Sequence, residues 1–330
     1  MSGGADAPIG HDRVLDRLEA TAREVRAHGE HTLAHALIFA GPAGIGKFRA
    51  ALWWAARLKC SGADCDGAHC RECVQVAART HPDVVVVEPE ADGASIKIAD
   101  ARALIHAMAL RPLRPGPRIA IVRDAQDFTP DAQSALLKLL EEPPGFAVLV
   151  LVTHNPSALF PTLRSRCSTV RFGRLADDEV QRLLESSGRT HEEARTIAAL
   201  AGGSVGRALG LDADAIADRE RLIADFEELR SGESADVEKL VADIADRRKN
   251  ERPALDALLD WQMKKVEASL GRPAAEGSES LTRLLDTAAG EDSTALLAEA
   301  LRTLDATQAL DRNANARLVL RELLLDVRPS

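Results

Sequence analysis

At 330 residues, 45% of them hydrophobic, the chain is long enough for two or three domains with cores of their own. A formal net charge of −9 excludes a stand-alone DNA binder that relies on an overall basic surface, although a local basic patch stays open. An aromatic content of 3%, with no tyrosine, argues against a single-strand binder built on stacking platforms. No apolar run reaches the ~18 residues of a membrane span and no export signal is visible, so the expectation is a cytoplasmic protein with no membrane partner.

Residues 10–35 carry Val14, Leu15, Leu18, Ala22 and Val25 at helical spacing, then His31 and His35, whose spacing argues for no metal and which read as structural. Leu37-Ile38-Phe39 is a short apolar strand that enters a glycine-rich turn, and residues 47–59 read as a helix. Gly41, Gly44, Gly46 and Lys47 lie in a stretch that fits the first seven positions of G-x-x-x-x-G-K-[ST]. In such a loop backbone N–H groups and the following helix N-terminus cradle phosphate. The eighth position should supply a hydroxyl to Mg²⁺, and here it is Phe48. Trp53 and Trp54 on the same helix read as core or interface fillers.

Four of the five cysteines follow, as Cys60-x4-Cys65-x4-Cys70-x2-Cys73. In a chain without an export signal this spacing suits a closed, structural Zn²⁺ site better than disulfides. His69 is an alternative ligand to Cys65.

Residues 83–88 and 118–122 read as buried strands, 98–110 as a helix, and 111–117, with three prolines and a glycine, as a loop. Residues 129–142 form a helix that Thr129 caps, Pro130 opens and Pro143-Pro144 stops; strands over 147–152 and 168–172 follow. A hydrolysing partner to the phosphate loop requires an acid at the end of an apolar strand to hold Mg²⁺, and a second beside it to position water. Ile119-Ala120-Ile121-Val122 is followed instead by Arg123-Asp124-Ala125. If the strand ends at Val122, a cation stands at the metal position; if it runs one residue further, Asp124 is the ligand and Ala125 replaces the second acid. Either register lacks one acid. Arg123 would snorkel out of the strand if it were only structural.

Alternating helices and near-continuous apolar strands imply a parallel sheet covered on both faces. From about Leu175 no strand pattern remains. Helices are expected at 177–186, 192–201, 204–209, 213–231, 235–247, 253–270, 279–289, 292–310 and 313–327, with 271–280 as a loop.

Several stretches together carry a resemblance. Residues 135–144, Leu-Leu-Lys-Leu-Leu-Glu-Glu-Pro-Pro after Ala135, resemble the helix following the second nucleotide motif in bacterial sliding-clamp loaders. Thr153-His154-Asn155-Pro156 and Leu163-Arg164-Ser165-Arg166-Cys167 resemble that family's sensor-1 region and Ser-Arg-Cys motif. His81-Pro82-Asp83, Gly203-Ser204-Val205-Gly206-Arg207-Ala208 at the sensor-2 position, and Asn313–Leu318 are similar as well.

The resemblance implies a AAA+ P-loop α/β domain at 1–173 with a zinc module at 60–73, a helical lid at 174–211 and an all-α collar at 212–330. It implies a subunit of the DNA polymerase III clamp loader that helps place a ring-shaped sliding clamp on primed DNA. Its partners would be gamma/tau and delta subunits, the clamp and, through the complex, primer–template DNA, in a hetero-oligomer. Decayed nucleotide motifs beside an intact Ser-Arg-Cys resemble a non-hydrolysing subunit of that loader. Arg166, with Ser165 and Cys167 of its motif, would then serve a neighbour's ATP in trans, while Arg207 would match the sensor-2 arginine or form a structural ion pair. Gly41, Gly44, Gly46 and Lys47 would frame a degenerate nucleotide site without productive ATP/Mg²⁺, and zinc would be structural, with Cys167 a small buried residue outside it. An active clamp-loader ATPase and a nucleotide-sensing AAA+ adaptor are the alternatives.

Overall fold

The computed structural model describes residues 7–28, 34–60, 70–91, 94–232, 236–246, 251–271, 279–288, 290–311 and 314–327. The chain divides into two units between Arg174 and Leu175.

The first unit runs α1 (Asp12–His28), β1 (Ala36–Ala40), α2 (Lys47–Lys59), α3 (Arg71–Ala77), β2 (Val84–Val87), α4 (Ile98–Ala109), β3 (Arg118–Val122), α5 (Pro130–Glu141), β4 (Ala147–Thr153), α6 (Pro161–Arg164) and β5 (Ser168–Arg171). The strands form a five-stranded sheet in the order β2-β3-β4-β1-β5, and every pairing is parallel. Strands β1, β3 and β4 are buried along their whole length, which is why their sequences are continuous apolar runs. Their residues still divide by the two-residue strand period. Leu37, Phe39, Ile119, Ile121, Val148, Val150 and Val152 join a core with α1, α2 and α3. Ile38, Ala120, Val122, Leu149 and Leu151 face the opposite core with α4 and α5. Edge strand β5 is mostly exposed.

Local signals explain the element ends. The Thr129 hydroxyl accepts from the Ala132 N–H, and Pro130 occupies the first turn of α5. Trp54 is fully buried, and its indole N–H donates to the Leu18 carbonyl at 2.9 Å, so this filler also joins α2 to α1.

The second unit is helical: α7 (Asp177–Ser186), α8 (His191–Ala201), α9 (Val205–Leu209), α10 (Ala213–Ser231), α11 (Val237–Asp246), α12 (Glu251–Ser269), α13 (Glu279–Ala288), α14 (Ser293–Asp311) and α15 (Ala316–Val327). One of its cores gathers Val180, Leu184, Ile197 and Ala208 with Ile223, Trp261 and Leu285, so residues on both sides of position 211 share it. The other joins Phe226, Leu240, Leu255, Leu258, Ala306 and Leu324. Between α10 and α12, Glu227 accepts from Lys265 Nζ at 2.9 Å and from the Trp261 indole at 2.7 Å, satisfying a buried carboxylate. Among the described residues no helix is long and apolar enough to cross a membrane.

Candidate functional site

The glycine-rich turn lies where β1 delivers the chain to α2. Gly41 passes so close to the end of β5 that a Cβ would stand 2.3 Å from the Phe172 carbonyl oxygen, so only glycine fits. Gly46, the residue before α2, has φ +93°, the left-handed conformation that turns the loop into the helix. His11 braces the turn from outside, with Nε2 3.0 Å from the Ile45 carbonyl and its ring edge-on to Phe172.

Lys47 is buried, and its ammonium donates to the carbonyls of its own loop, Gly41 at 2.7 Å and Pro42 at 2.5 Å. Burial pushes its pKa down to about 8 against the opposing charge of Asp124. The structure thus brings Gly41, Gly46 and Lys47 together in one tight turn, with the lysine turned onto the loop itself.

The metal side of the pocket is built differently. Strand β3 ends at Val122, and the Arg123 N–H donates to the Val87 carbonyl at 2.8 Å, so the cation occupies the position directly after the strand. Phe48 takes the place of the hydroxyl. Its ring lies under two guanidinium groups, Arg79 at 5.0 Å and Arg123 at 5.5 Å from the centroid. Glu88, just past β2, pairs with both, at 2.8 Å to Arg79 and 3.5 Å to Arg123. Arg123 also pairs with Asp124 at 3.3 Å. An aromatic ring and an arginine, Phe48 and Arg123, thus stand at the two positions from which a hydrolysing site would present a hydroxyl and a carboxylate to Mg²⁺, with Arg79 over the same ring. Arg79 and Glu88 belong to no sequence motif.

At the end of β4, the Thr153 hydroxyl donates to Gln126 Oε1 at 2.8 Å and accepts from the Asn155 N–H at 3.0 Å. Gln126 follows the Arg123-Asp124-Ala125 turn, so the two predicted sensor and metal regions are joined by a residue that the motifs did not single out. Arg166 lies after α6 and is exposed. It donates to the Thr162 carbonyl at 2.9 Å and pairs with Glu141, the last residue of α5, at 2.7 Å. Ser165 donates to the same carbonyl. Cys167 packs beside the core under α4 and α5, and burial raises its thiol pKa to about 11, so it is not a reactive thiol. Arg207 belongs to the helical unit, where it pairs with Asp260 of α12 at 2.5 Å. Gly202 lies so near that a Cβ there would stand 2.3 Å from the Asp260 carboxylate.

Cys60, Cys70 and Cys73 come together with their sulfurs all within 4.8 Å of one another, as one metal ion would need. Cys60 and Cys70 are 3.9 Å apart, against the ~3.8 Å expected between thiolates bound tetrahedrally at ~2.3 Å. Burial opposes ionisation of Cys70, but hydrogen bonds from Cys73, Glu72 and Cys60 outweigh it and hold the thiol below the usual range. Cys65 and His69, the candidate fourth ligands, lie outside the described residues, as does His31.

A polar network surrounds the cysteines. Lys59 and Asp83 form a fully buried pair at 3.0 Å. Asp83 also accepts the N–H groups of Leu113 and Arg114, and Lys59 donates to the carbonyls of Arg114, Gly116 and Pro117. His81 Nδ1 accepts from the Asp83 N–H, so its Nε2–H faces Glu72 at 2.6 Å. Burial lowers the His81 pKa, consistent with a neutral ring. His81-Pro82-Asp83 thereby fixes the 111–117 loop to α3, the helix that carries Cys73.

Residues 18–176 match the family model described as "DNA polymerase III, delta subunit". Over 136 residues the chain is 42% identical to the DNA polymerase III subunit delta' of Pseudomonas aeruginosa, covering 41% of this chain and 42% of that one. Over 163 residues it is 37% identical to the delta' subunit of Bacillus subtilis, covering 48% of each. The gamma/tau subunit of Mycobacterium tuberculosis is 32% identical over 179 residues, 54% of this chain and 31% of that one. The chain thus spans less than half the length of these curated relatives. The family-model match falls almost wholly within the first unit.

Proposed function

We infer that the chain, whose first unit aligns with DNA polymerase III delta' subunits, is a delta-prime-type clamp-loader subunit of the AAA+ class that does not itself hydrolyse ATP. It acts in a hetero-oligomer with gamma/tau and delta subunits. That assembly loads the sliding clamp onto primer–template DNA, as a cytoplasmic machine. The observation that carries this reading is the pocket beside Lys47. With Phe48 under Arg79 and Arg123, a divalent cation meets an aromatic ring and a guanidinium in place of a hydroxyl and a carboxylate, and the neighbouring Glu88 and Asp124 carboxylates are already engaged by the arginines.

In this reading the chain contributes structure and one charge. Gly41, Gly44, Gly46 and Lys47 keep the frame of a nucleotide site without productive ATP/Mg²⁺, and the Arg207–Asp260 pair holds the lid helices α7–α9 to α12 of the collar. Arg166 reaches a neighbour's ATP, where such an arginine stabilises charge on the transferring phosphoryl group and is worth ~10³–10⁵ in rate. Cys60, Cys70 and Cys73 would hold a structural Zn²⁺ with a fourth ligand from the segment between Cys60 and Cys70, which supplies no catalytic chemistry.

The test is co-expression with the gamma/tau and delta subunits of the same organism. The expected result is a stable complex whose clamp-stimulated ATP turnover survives Lys47→Ala in this chain. Mg²⁺-dependent turnover by the purified chain alone, abolished by Lys47→Ala, would overturn the reading.

A further inference from the structure

The two most specific motifs of the sequence, Leu-Leu-Lys-Leu-Leu-Glu-Glu-Pro-Pro and Ser-Arg-Cys, are separated by more than a strand and share no element. Their charged groups meet where the Glu141 carboxylate lies 2.7 Å from Arg166 Nη2. The other terminal nitrogen, Nη1, donates to the Thr162 carbonyl at 2.9 Å. Arg166 is thus anchored on two separate elements, the last residue of α5 and the short helix α6. The anchors are themselves placed. Pro143-Pro144 stop α5 at Glu141. Gln133, buried within α5, donates to the Ala158 carbonyl at 3.1 Å and accepts from the Phe160 N–H at 2.7 Å, fixing the backbone that enters α6. Leu163 of α6 is fully buried in the core under α5.

We propose that Glu141 is the positioning residue for Arg166, holding its guanidinium in the orientation it presents to a neighbouring subunit's phosphates. The inference rests on the reading of Arg166 as an arginine that acts in trans. Both partners are more than a third exposed, so the pair does little for the fold of the module. Its effect is on the side chain. A free arginine samples many rotamers, and one that docks already oriented loses less freedom when it meets its ligand. The carboxylate also leaves Arg166 charged and exposed, and a phosphate arriving from a partner can share or replace it as counter-ion.

The test uses the reconstituted complex with its ATPase subunits, carrying this chain as wild type, Arg166→Ala, Glu141→Gln, Glu141→Asp or the double variant Glu141→Gln/Arg166→Ala. The expected result is that Glu141→Gln lowers the clamp-stimulated kcat by about two- to fivefold, the range of an exposed ion pair, with KM for ATP unchanged. Glu141→Asp restores most of the loss, and the double variant turns over no more slowly than Arg166→Ala alone. If Arg166→Ala is slow while Glu141→Gln matches wild type, or the two losses multiply in the double variant, the role of Glu141 is overturned and that of Arg166 stands. If Arg166→Ala itself matches wild type, both fall. Equal melting temperatures for Glu141→Gln and wild type are expected; a large drop would recast the pair as structural and overturn the proposal.

Discussion

Replacing Phe48 tests whether the pocket beside Lys47 is filled by interaction or merely by proximity. The ring is half-buried against the core formed with α1 and α2, and it carries Arg79 and Arg123 on its faces. Both guanidiniums are about half exposed, which places each cation–π contact near the lower end of the ~0.5–1 kcal/mol typical of such sites. Phe48→Leu keeps most of the apolar packing and removes only the ring, so it should cost about 1 kcal/mol. Phe48→Ala also removes the packing; full burial would make that ~3–5 kcal/mol, and half burial about 2, for a total of about 3 kcal/mol. Glu88 would then hold two arginines with nothing between them, adding a small electrostatic penalty. Urea unfolding followed by tryptophan fluorescence resolves these values when Trp261→Phe leaves only Trp53 and Trp54, both in the first unit, as reporters. A Phe48→Leu protein as stable as wild type, or one as unstable as Phe48→Ala, refutes the argument that the ring binds the two cations.

Lys59→Met removes the nearer of two cations that pair with the fully buried Asp83 carboxylate, Lys59 at 3.0 Å and Arg118 at 3.4 Å, so it is expected to destabilise the first unit by about 3 kcal/mol in the same urea assay; a loss under about 1 kcal/mol would show that Arg118 alone suffices for Asp83. Lys47 has a lower proton affinity folded, about 8, than unfolded, where it is near the ordinary lysine value. The unfolded chain therefore binds more protons across that window, and the contribution of Lys47 to stability rises as pH climbs from about 8 to about 10.4. The stability of Lys47→Met relative to wild type should fall over the same range, and parallel profiles would contradict the shift. If the three cysteines hold zinc as proposed, elemental analysis should find about one zinc per chain in wild type and less in Cys70→Ser, which should also unfold at lower urea; equal zinc in both would remove Cys70 from the site.

The sheet was readable because its strands are buried on both faces. Ile119–Val122 and Ala147–Val152 could be nothing but strands once Pro143-Pro144 and Pro115–Pro117 bounded them. Thr129 and Pro130 fixed the start of α5 to the residue. Helix α3 was not foreseen, because its seven residues follow a cysteine segment and carry too few apolar positions to show a period. Phe48 and Arg123 were legible as departures from the motifs, since each is a single position in a fixed spacing. What surrounds them was not. Arg79 comes from the turn after α3 and Glu88 from just past β2, and the pairing of β2 with β3 brings Glu88 to Arg123. Arg166 was legible as a motif, while its partner Glu141 was visible only as part of a different one.

The buried Lys59–Asp83 pair has a kinetic consequence. Residues 111–117 have no regular secondary structure, yet the N–H groups of Leu113 and Arg114 end on a carboxylate that water does not reach. Those two amides cannot exchange with solvent deuterium by local fraying, because freeing them exposes a buried charge. Their exchange should track the slow opening of the sheet rather than the fast opening of a surface loop. Arg111–Pro117 is thus a loop in conformation and a core segment in lifetime, held by one buried carboxylate with Lys59 and Arg118 as its cations rather than by a ladder of backbone bonds.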